Sequence, residues 1–433
     1  MGENTFGEQF EQLYINNGEI YHGYLVCEKI DEGNYGQVFV VSKDGQRYAM
    51  KVEPKRVDGS APALKTEIEI MKKLGEGKSL LPKYFPKWIF SGSDPKCHVL
   101  VMELLGDNLK SLRLKTSNPN VSSAGTWSRI GIQCLYVLKQ MHDVGYLHHD
   151  LKPGNFAMGP QTDLDRSRVL HLLDFGISRA FIRPKKGAAI SFTTKDGAKT
   201  TDLANMEFRP PKKKVSSLRG TPVYASPNAH EFIDLGRIDD IWSLLYMIAE
   251  MVEPLPWGLL EDEQLKSSKL KCKLKEIFKD DSFDAVEQML RASNFYSFPN
   301  YELVYNTLKS VYDKSKSTWL DPYDWESKQM PSYVRWKQYT ERKTSLYQYK
   351  WEYSDIREFF RHDPFSTLQK KDGEKKEKKK EDGMNNNETV TKTTETCPTV
   401  EEAKTPKPVM KKKSKISKPI KSKTKKSSNT KKK

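Results

Sequence analysis

Paired cysteines are missing from this sequence. Its five cysteines, Cys27, Cys97, Cys134, Cys272 and Cys397, are scattered singly over 433 residues with no CxxC pair. An odd, dispersed set in so long a chain argues against a secreted disulfide framework and against a cysteine zinc site. No uncharged apolar run reaches the ~18 residues that a membrane-spanning helix requires. The amino terminus has no apolar signal core, and Phe6 stands where a myristoylation motif wants Ser or Thr. Internal repeats are absent too. These gaps predict an intracellular protein without a transmembrane segment, in cytoplasm, nucleus or both.

What is abundant is lysine, and it is concentrated at one end. The formal charge is +16, yet residues 370–433 alone hold 22 lysines against nine acidic residues. The rest of the chain is therefore nearly neutral. From about Thr367 onward the sequence is Lys, Glu, Thr, Ser and Asn with almost no aromatics, a composition that cannot bury enough surface to fold. Residues 367–433 are expected to be a disordered basic tail that binds a polyanion: nucleic acid, an acidic protein tail or an anionic membrane.

Ahead of the tail, residues 1–21 read as a polar extension. Strand-like runs follow at Tyr24 to Ile30, Gln37 to Val41 and Arg47 to Val52, the last two joined by Asp44-Gly45, a strong hairpin signal. Pro62 opens a helical pattern through Leu64, Ile68, Met71 and Leu74. After a further strand from His98 to Leu105 the texture turns helical, with Trp127 to His142 amphipathic and Ile241 to Met251 almost wholly apolar. A small β-rich half precedes a larger helical one.

Four elements, in order, suit phosphoryl transfer from ATP. Asp31-Glu-Gly33-Asn-Tyr-Gly36 lies between two strands, where glycines let backbone N–H groups approach phosphate oxygens. Alone it is equally a plain hairpin. Ala49-Met50-Lys51 follows on a strand; a buried lysine needs a compensating charge, and Glu67 on the amphipathic helix is its natural partner. An edge lysine reaching solvent is the alternative. His148-His149-Asp150-Leu-Lys152-Pro-Gly-Asn155 gives Asp150 to accept the substrate hydroxyl proton, Lys152 to neutralise the moving phosphoryl, and Asn155 to ligate magnesium. Leu172-Leu173-Asp174-Phe175-Gly176 brings a second magnesium ligand, Asp174, 24 residues after Asp150. The order, more than any one motif, carries the reading.

The chain resembles the casein kinase 1 superfamily of protein kinases, and within it the tau-tubulin kinase-like branch. The residues that carry this are Gly145–Gly159, Gly220-Thr-Pro-Val-Tyr-Ala-Ser-Pro-Asn-Ala-His230, Asp239-Asp240-Ile-Trp-Ser-Leu-Leu-Tyr246, Leu255-Pro-Trp257 and Asp321-Pro-Tyr-Asp-Trp-Glu326. The resemblance implies an α+β, bilobal protein-kinase fold over residues 22–327, with a small β-rich lobe carrying one main helix and a larger helical lobe. It implies a monomeric serine/threonine kinase using ATP and Mg2+ on protein substrates. Ile30, Val38, Ala49, Met102, Leu105, Ala157 and Leu173 would line the adenine pocket, with Met102 as gatekeeper and the backbones of Glu103 and Leu105 on the adenine edge. Thr221 would bridge Asp150 and Lys152, and Asp240 would brace the catalytic loop.

The sequence departs from the pattern in places. Asp31 replaces the first phosphate-loop glycine, and His149 stands where the family has Arg, either partly charged near neutral pH or structural. The stretch from Asp174 to Asn228 is long, with its excess between Arg183 and Glu207. Arg209 and Lys212-Lys213-Lys214 precede Thr221, and either attract acidic or phosphorylated substrates or form a solvated charge run. Residues 328–366 are rich in aromatics, among them Tyr333, Trp336, Tyr339, Tyr347, Tyr349, Trp351, Tyr353 and Phe359, and are expected to pack on the large lobe. A catalytically weak scaffold is the competing reading; a small-molecule kinase is more distant.

Overall fold

Period-two alternation decides which way the small lobe faces. In the computed structural model, residues 14–33, 36–56, 61–75, 84–187, 192–193, 199–200, 203–342 and 354–368 are described. They include a six-stranded antiparallel sheet of β1 (Ile20–Tyr21), β2 (Tyr24–Gly33), β3 (Gly36–Lys43), β4 (Gln46–Pro54), β5 (Trp88–Ser93) and β6 (Cys97–Glu103), in the order β1-β2-β3-β4-β6-β5. Phe39, Val41, Met50, Val52, Val99 and Val101 point to one face and form a cluster of their own. Ala49, Leu100 and Met102 point to the other and join the main core. Lys51 follows Ala49 by two residues, so the pleat aims it at the second face, toward the larger lobe. The β3–β4 turn is Asp44-Gly45, both at positive φ (51° and 76°), the geometry that favours an Asp-Gly pair.

The sheet starts inside the segment read as a polar extension. Tyr21 of β1 donates its hydroxyl to Asp94, 2.5 Å away, and Ile20 pairs with Leu25. A two-residue strand is too short to show a period, which is why composition did not reveal it.

Helix α1 (Ala63–Gly75) buries Leu64, Glu67, Ile70, Met71 and Leu74; Ile68 is only half-buried, on the flank of the expected face. Its first two amides, Ala63 and Leu64, donate to the buried Glu53 carboxylate at 3.0 and 2.7 Å. A strand side chain thus satisfies part of the helix terminus and locks α1 to β4 two residues beyond Lys51.

The larger lobe is built on α2 (Leu109–Leu114), α3 (Ala124–Asp143), α4 (Pro227–His230), α5 (Arg237–Val252), α6 (Asp262–Lys271), α7 (Leu274–Phe278), α8 (Phe283–Arg291) and α9 (Tyr301–Lys314). Both α3 and α5 are buried along nearly their whole length, at the centre of the lobe. Of the aromatic stretch, α10 (Pro331–Arg342) and α11 (Ser354–Arg361) are described. Tyr333 and Trp336 are buried against the Arg168 guanidinium, which lies 4.0 Å from the Trp336 ring and is paired with Glu326 at 2.8 Å. Tyr347, Tyr349, Trp351 and Tyr353 lie outside the described residues, as do Asn34, Tyr35 and the chain from residue 369 on.

Candidate active site

Three short strands bring the predicted residues together. β7 (Tyr146–Leu147) leads into the His148–Asn155 loop; β8 (Phe156–Met158) and β9 (Leu170–Leu172) form a hairpin under the sheet. The Leu173 amide donates to the Asn155 carbonyl at 2.9 Å, so Asn155 and Asp174 are neighbours by backbone geometry.

Lys51 reaches both acidic partners: its Nζ is 2.7 Å from Glu67 Oε2 and 2.9 Å from Asp174 Oδ1. Burial alone would push the Lys51 ammonium down, but Glu67 and Asp174 together hold it well above its ordinary range. Burial raises the Glu67 carboxyl, against the pull of Lys51. For Asp174 burial also opposes ionisation, but Lys51 draws its carboxyl down to about 2. The solvent-reaching edge lysine is therefore not what this fold makes; Lys51 spans β4, α1 and the Asp174 turn.

Asp150 is fixed from both sides. Its Oδ1 accepts from the Thr221 amide (2.8 Å) and hydroxyl (2.7 Å), and its Oδ2 from Lys152 at 2.6 Å. The carboxylate thus lies between Thr221 and Lys152, whereas the family resemblance put Thr221 between the other two. Gly220 makes this approach feasible: it has φ 87°, and a Cβ there would lie 2.2 Å from the His149 carbonyl oxygen.

The loop itself hangs on Asp240. Its carboxylate accepts from the amides of His148 (2.7 Å) and His149 (2.9 Å) and from His142 Nε2 (2.9 Å). Burial opposes ionisation, yet the His142 side chain above all holds the Asp240 carboxyl down to about 2. His148 needs its Nε2–H tautomer, because Nε2 faces the Leu173 carbonyl (2.9 Å) while Nδ1 accepts from the Asp150 amide (3.2 Å). His149 has φ 71° and a buried ring whose two nitrogens make no hydrogen bond. Burial pushes it down to about 4, which tells against a charge on it near neutral pH.

The residues expected to line the adenine pocket come from five strands, β2, β3, β4, β6 and β8, and from the turns after β6 and β9. Ala49 pairs with Met102 across β4–β6, and Ala157 bridges Asn108 beneath them. Ala49, Met102 and Ala157 are buried, Val38, Leu105 and Leu173 are half-buried, and Ile30 is exposed at the rim. The Glu103 side chain is clamped by Arg166 in a two-pronged pair at 2.8 and 2.9 Å, and its amide donates to the Lys87 carbonyl at 2.9 Å. Gly36 is at φ 129° with a hypothetical Cβ 2.0 Å from the Val52 carbonyl oxygen, whereas Gly33 has open space around it.

The basic cluster near Thr221 is partly spoken for. Arg209 binds Asp234 at 2.5 Å, Arg179 approaches the same carboxylate at 3.4 Å, and the Lys212 amide donates to it at 2.7 Å. Lys212, Lys213 and Lys214 side chains are exposed. Ser226 and Asn228 bond the buried Asp239 at 2.7 and 3.0 Å, tying the Ser-Pro-Asn turn to α5. Sequence reasoning missed Lys269, fully buried under the same segment. Its Nζ is 2.5 Å from the Pro222 carbonyl oxygen, 2.7 Å from that of Ala225 and 3.2 Å from His230 Nε2.

The protein kinase domain family matches residues 24–317, the span that holds every site residue named above. The chain belongs to the protein kinase family. A Caenorhabditis elegans protein named as a putative serine/threonine-protein kinase is 37% identical to this kinase over 70% of its chain and 82% of the relative's. One named as a putative casein kinase I, from the same organism, is 31% identical over 73% and 88%. A third C. elegans relative, named an inactive tau-tubulin kinase, is 29% identical over 61% and 87%. The kinase is thus a protein serine/threonine kinase of the casein kinase 1 and tau-tubulin kinase-like group, and its domain type uses ATP and a divalent cation.

Proposed function

We propose that this kinase is catalytically competent and transfers the γ-phosphoryl group of Mg-ATP to Ser/Thr hydroxyls of protein substrates. The observation that supports it most directly is the Lys51 ammonium seated between Glu67 and Asp174, with Asp150 held by Thr221 and Lys152. Asp150 accepts the substrate hydroxyl proton as the oxygen attacks, and Lys152 offsets charge on the group in flight. Lys51 orients the α- and β-phosphates.

Asn155 and Asp174 suit a hard cation of the Mg2+ type. The Asn155 amide N–H is spent on the Asp150 carbonyl (2.8 Å), which leaves its side-chain oxygen for a cation, and Asp174 keeps one carboxylate oxygen beyond the Lys51 contact. Such a cation supplies charge neutralisation on the phosphate oxygens. The scaffold reading draws on Asp31 in place of glycine, on His149 in place of arginine and on the relative named inactive. Against it stand Lys51, Asp150, Asn155 and Asp174, all present.

Acidic segments are the substrate class that the exposed Lys212-Lys213-Lys214 run favours, because Arg209 is occupied by Asp234. The lysine-rich tail adds a polyanion-binding arm, and the enzyme works as an intracellular monomer. Incubation with Mg-ATP and casein or an acidic peptide tests this: transfer is expected, with Asp150→Asn reducing it by ~10²-fold or more. Turnover equal in wild type and Asp150→Asn would refute catalysis at this site, and absence of a thermal shift at millimolar Mg-ATP would favour the scaffold.

A further inference from the structure

The activation segment between Asp174 and Asn228 is tied to Asp234 through Arg179, Arg209 and Lys212, and His149 adds nothing to this, since neither of its ring nitrogens makes a hydrogen bond. Three strands of the segment, β10 (Arg179–Ala180), β11 (Ile182–Pro184) and β12 (Met206–Phe208), are two or three residues long. β10 pairs with β7, directly before the catalytic loop, and β11 pairs with β12. Strands this short have few backbone bonds and depend on side-chain packing.

Part of that packing comes from beyond the matched kinase region. Phe365 is 1% exposed and sits in a small cluster, separate from the main core, with Leu147, Phe181, Met206, Phe208 and Leu368. Leu147 ends β7, Phe181 joins β10 to β11, and Met206 and Phe208 belong to β12. One cluster therefore joins the catalytic-loop strand to both halves of the segment. The Phe365 ring meets that of Phe181 edge-on at 5.4 Å, and Phe181 stacks on Phe208 at 6.1 Å.

The position of Phe365 is in turn set by the large lobe. Asp363 pairs with the buried Arg237 of α5 at 3.2 Å, and the His362 carbonyl accepts from the buried Lys139 of α3 at 2.9 Å. Phe360 is buried against Tyr305 of α9, ring centroids 5.2 Å apart. Arg237 also faces the Phe181 ring at 4.9 Å. The wall is anchored on rigid helices and presents its tip to the least self-sufficient strands of the site.

We propose that Phe365, held by Asp363, is a positioning residue for phosphoryl transfer: the segment at 362–368 keeps the activation segment in register with the catalytic loop. The proposal rests on the catalytic reading above, but its structural half is tested separately.

Hydrogen exchange and kinetics on the full chain carry the test. Phe365→Ala is expected to speed amide exchange in Arg179–Phe181 and Met206–Phe208 at least tenfold. It should also lower kcat/KM for a peptide substrate at least tenfold, with KM for ATP changed less than twofold. Phe365→Leu, which keeps an apolar side chain but loses the ring, should show an intermediate effect of about threefold on both, and carries the test at that threshold if Phe365→Ala does not fold. Exchange and kcat/KM within twofold of wild type in Phe365→Ala, or in Phe365→Leu where it alone folds, would overturn the proposal. If the wild type proves inactive, the exchange arm alone decides whether Phe365 holds the segment.

Discussion

The Lys269 amine lies 2.7 Å from the Ala225 carbonyl oxygen, inside the large lobe, where its hydrogen-bond partners are two carbonyls and an imidazole rather than a carboxylate. Burial pushes this amine down to about 6, far below a free lysine. Its hydrogens reach the Pro222 and Ala225 carbonyls, and its third partner is the His230 ring. His230 is itself pushed by burial to about 4 and stays neutral in the same range. From about pH 6 up to the ordinary lysine pKa the unfolded chain binds one more proton than the folded chain, so stability rises with pH there.

The expected slope in that window is ~1 kcal/mol per pH unit, since one pKa unit is worth about 1.4 kcal/mol. Urea unfolding at pH 6.5, 7.5 and 8.5 (roughly the lower half of that window) should show it in wild type and show it flattened in Lys269→Met. Parallel lines for the two proteins would mean that Lys269 keeps its proton in the fold.

Removing Lys51 should do more harm. Lys51→Met leaves Glu67, only 1% exposed, without its cation. The expected loss is about 3–5 kcal/mol, the usual penalty for orphaning one half of a buried pair. Adding Glu67→Gln should restore most of the stability and none of the activity; a double mutant as unstable as the single one would contradict this.

The two phosphate-loop glycines should separate cleanly. Gly36→Ala drives a Cβ into the Val52 carbonyl and should lower the melting temperature by several degrees. Gly33→Ala meets nothing and should leave it nearly unchanged, with any effect falling on KM for ATP. Thermal melts without nucleotide, then ATP titrations, distinguish the two.

Thr221→Val should remove the hydroxyl bond to Asp150 and keep the amide one. We expect kcat to fall about tenfold, the scale of one charge-assisted hydrogen bond of about 1.5 kcal/mol, with KM for ATP unchanged. A KM effect without a kcat effect would assign Thr221 to substrate binding instead.

Much of this site is legible in the sequence alone, because Lys51, Asp150, Asn155 and Asp174 stand in contiguous motifs whose order is informative by itself. Glu67 is legible for a different reason: it lies between Leu64 and Met71 on the buried face of a helix. Lys269 is not, since it sits in a lysine-studded stretch with Lys266 and Lys271, and only tertiary packing decides which of the three turns inward. Phe365 and Asp363 are equally hidden. Their partners Phe181 and Arg237 are more than a hundred positions away, and local pattern carries no information at that distance. Backbone conformations such as the positive φ of His149 and Asp174 are likewise imposed by the surrounding fold.

The three donors gathered on Asp240 bear on how genetic variants of this kinase are to be interpreted. This carboxylate sets the backbone of both histidines before Asp150 without taking part in the transfer itself, so its loss will mimic the loss of Asp150 in any activity screen. Ranking positions by distance from the phosphate would file Asp240 among tolerant sites. Ranking them by how many catalytic-loop amides they hold would place it beside the catalytic residues themselves.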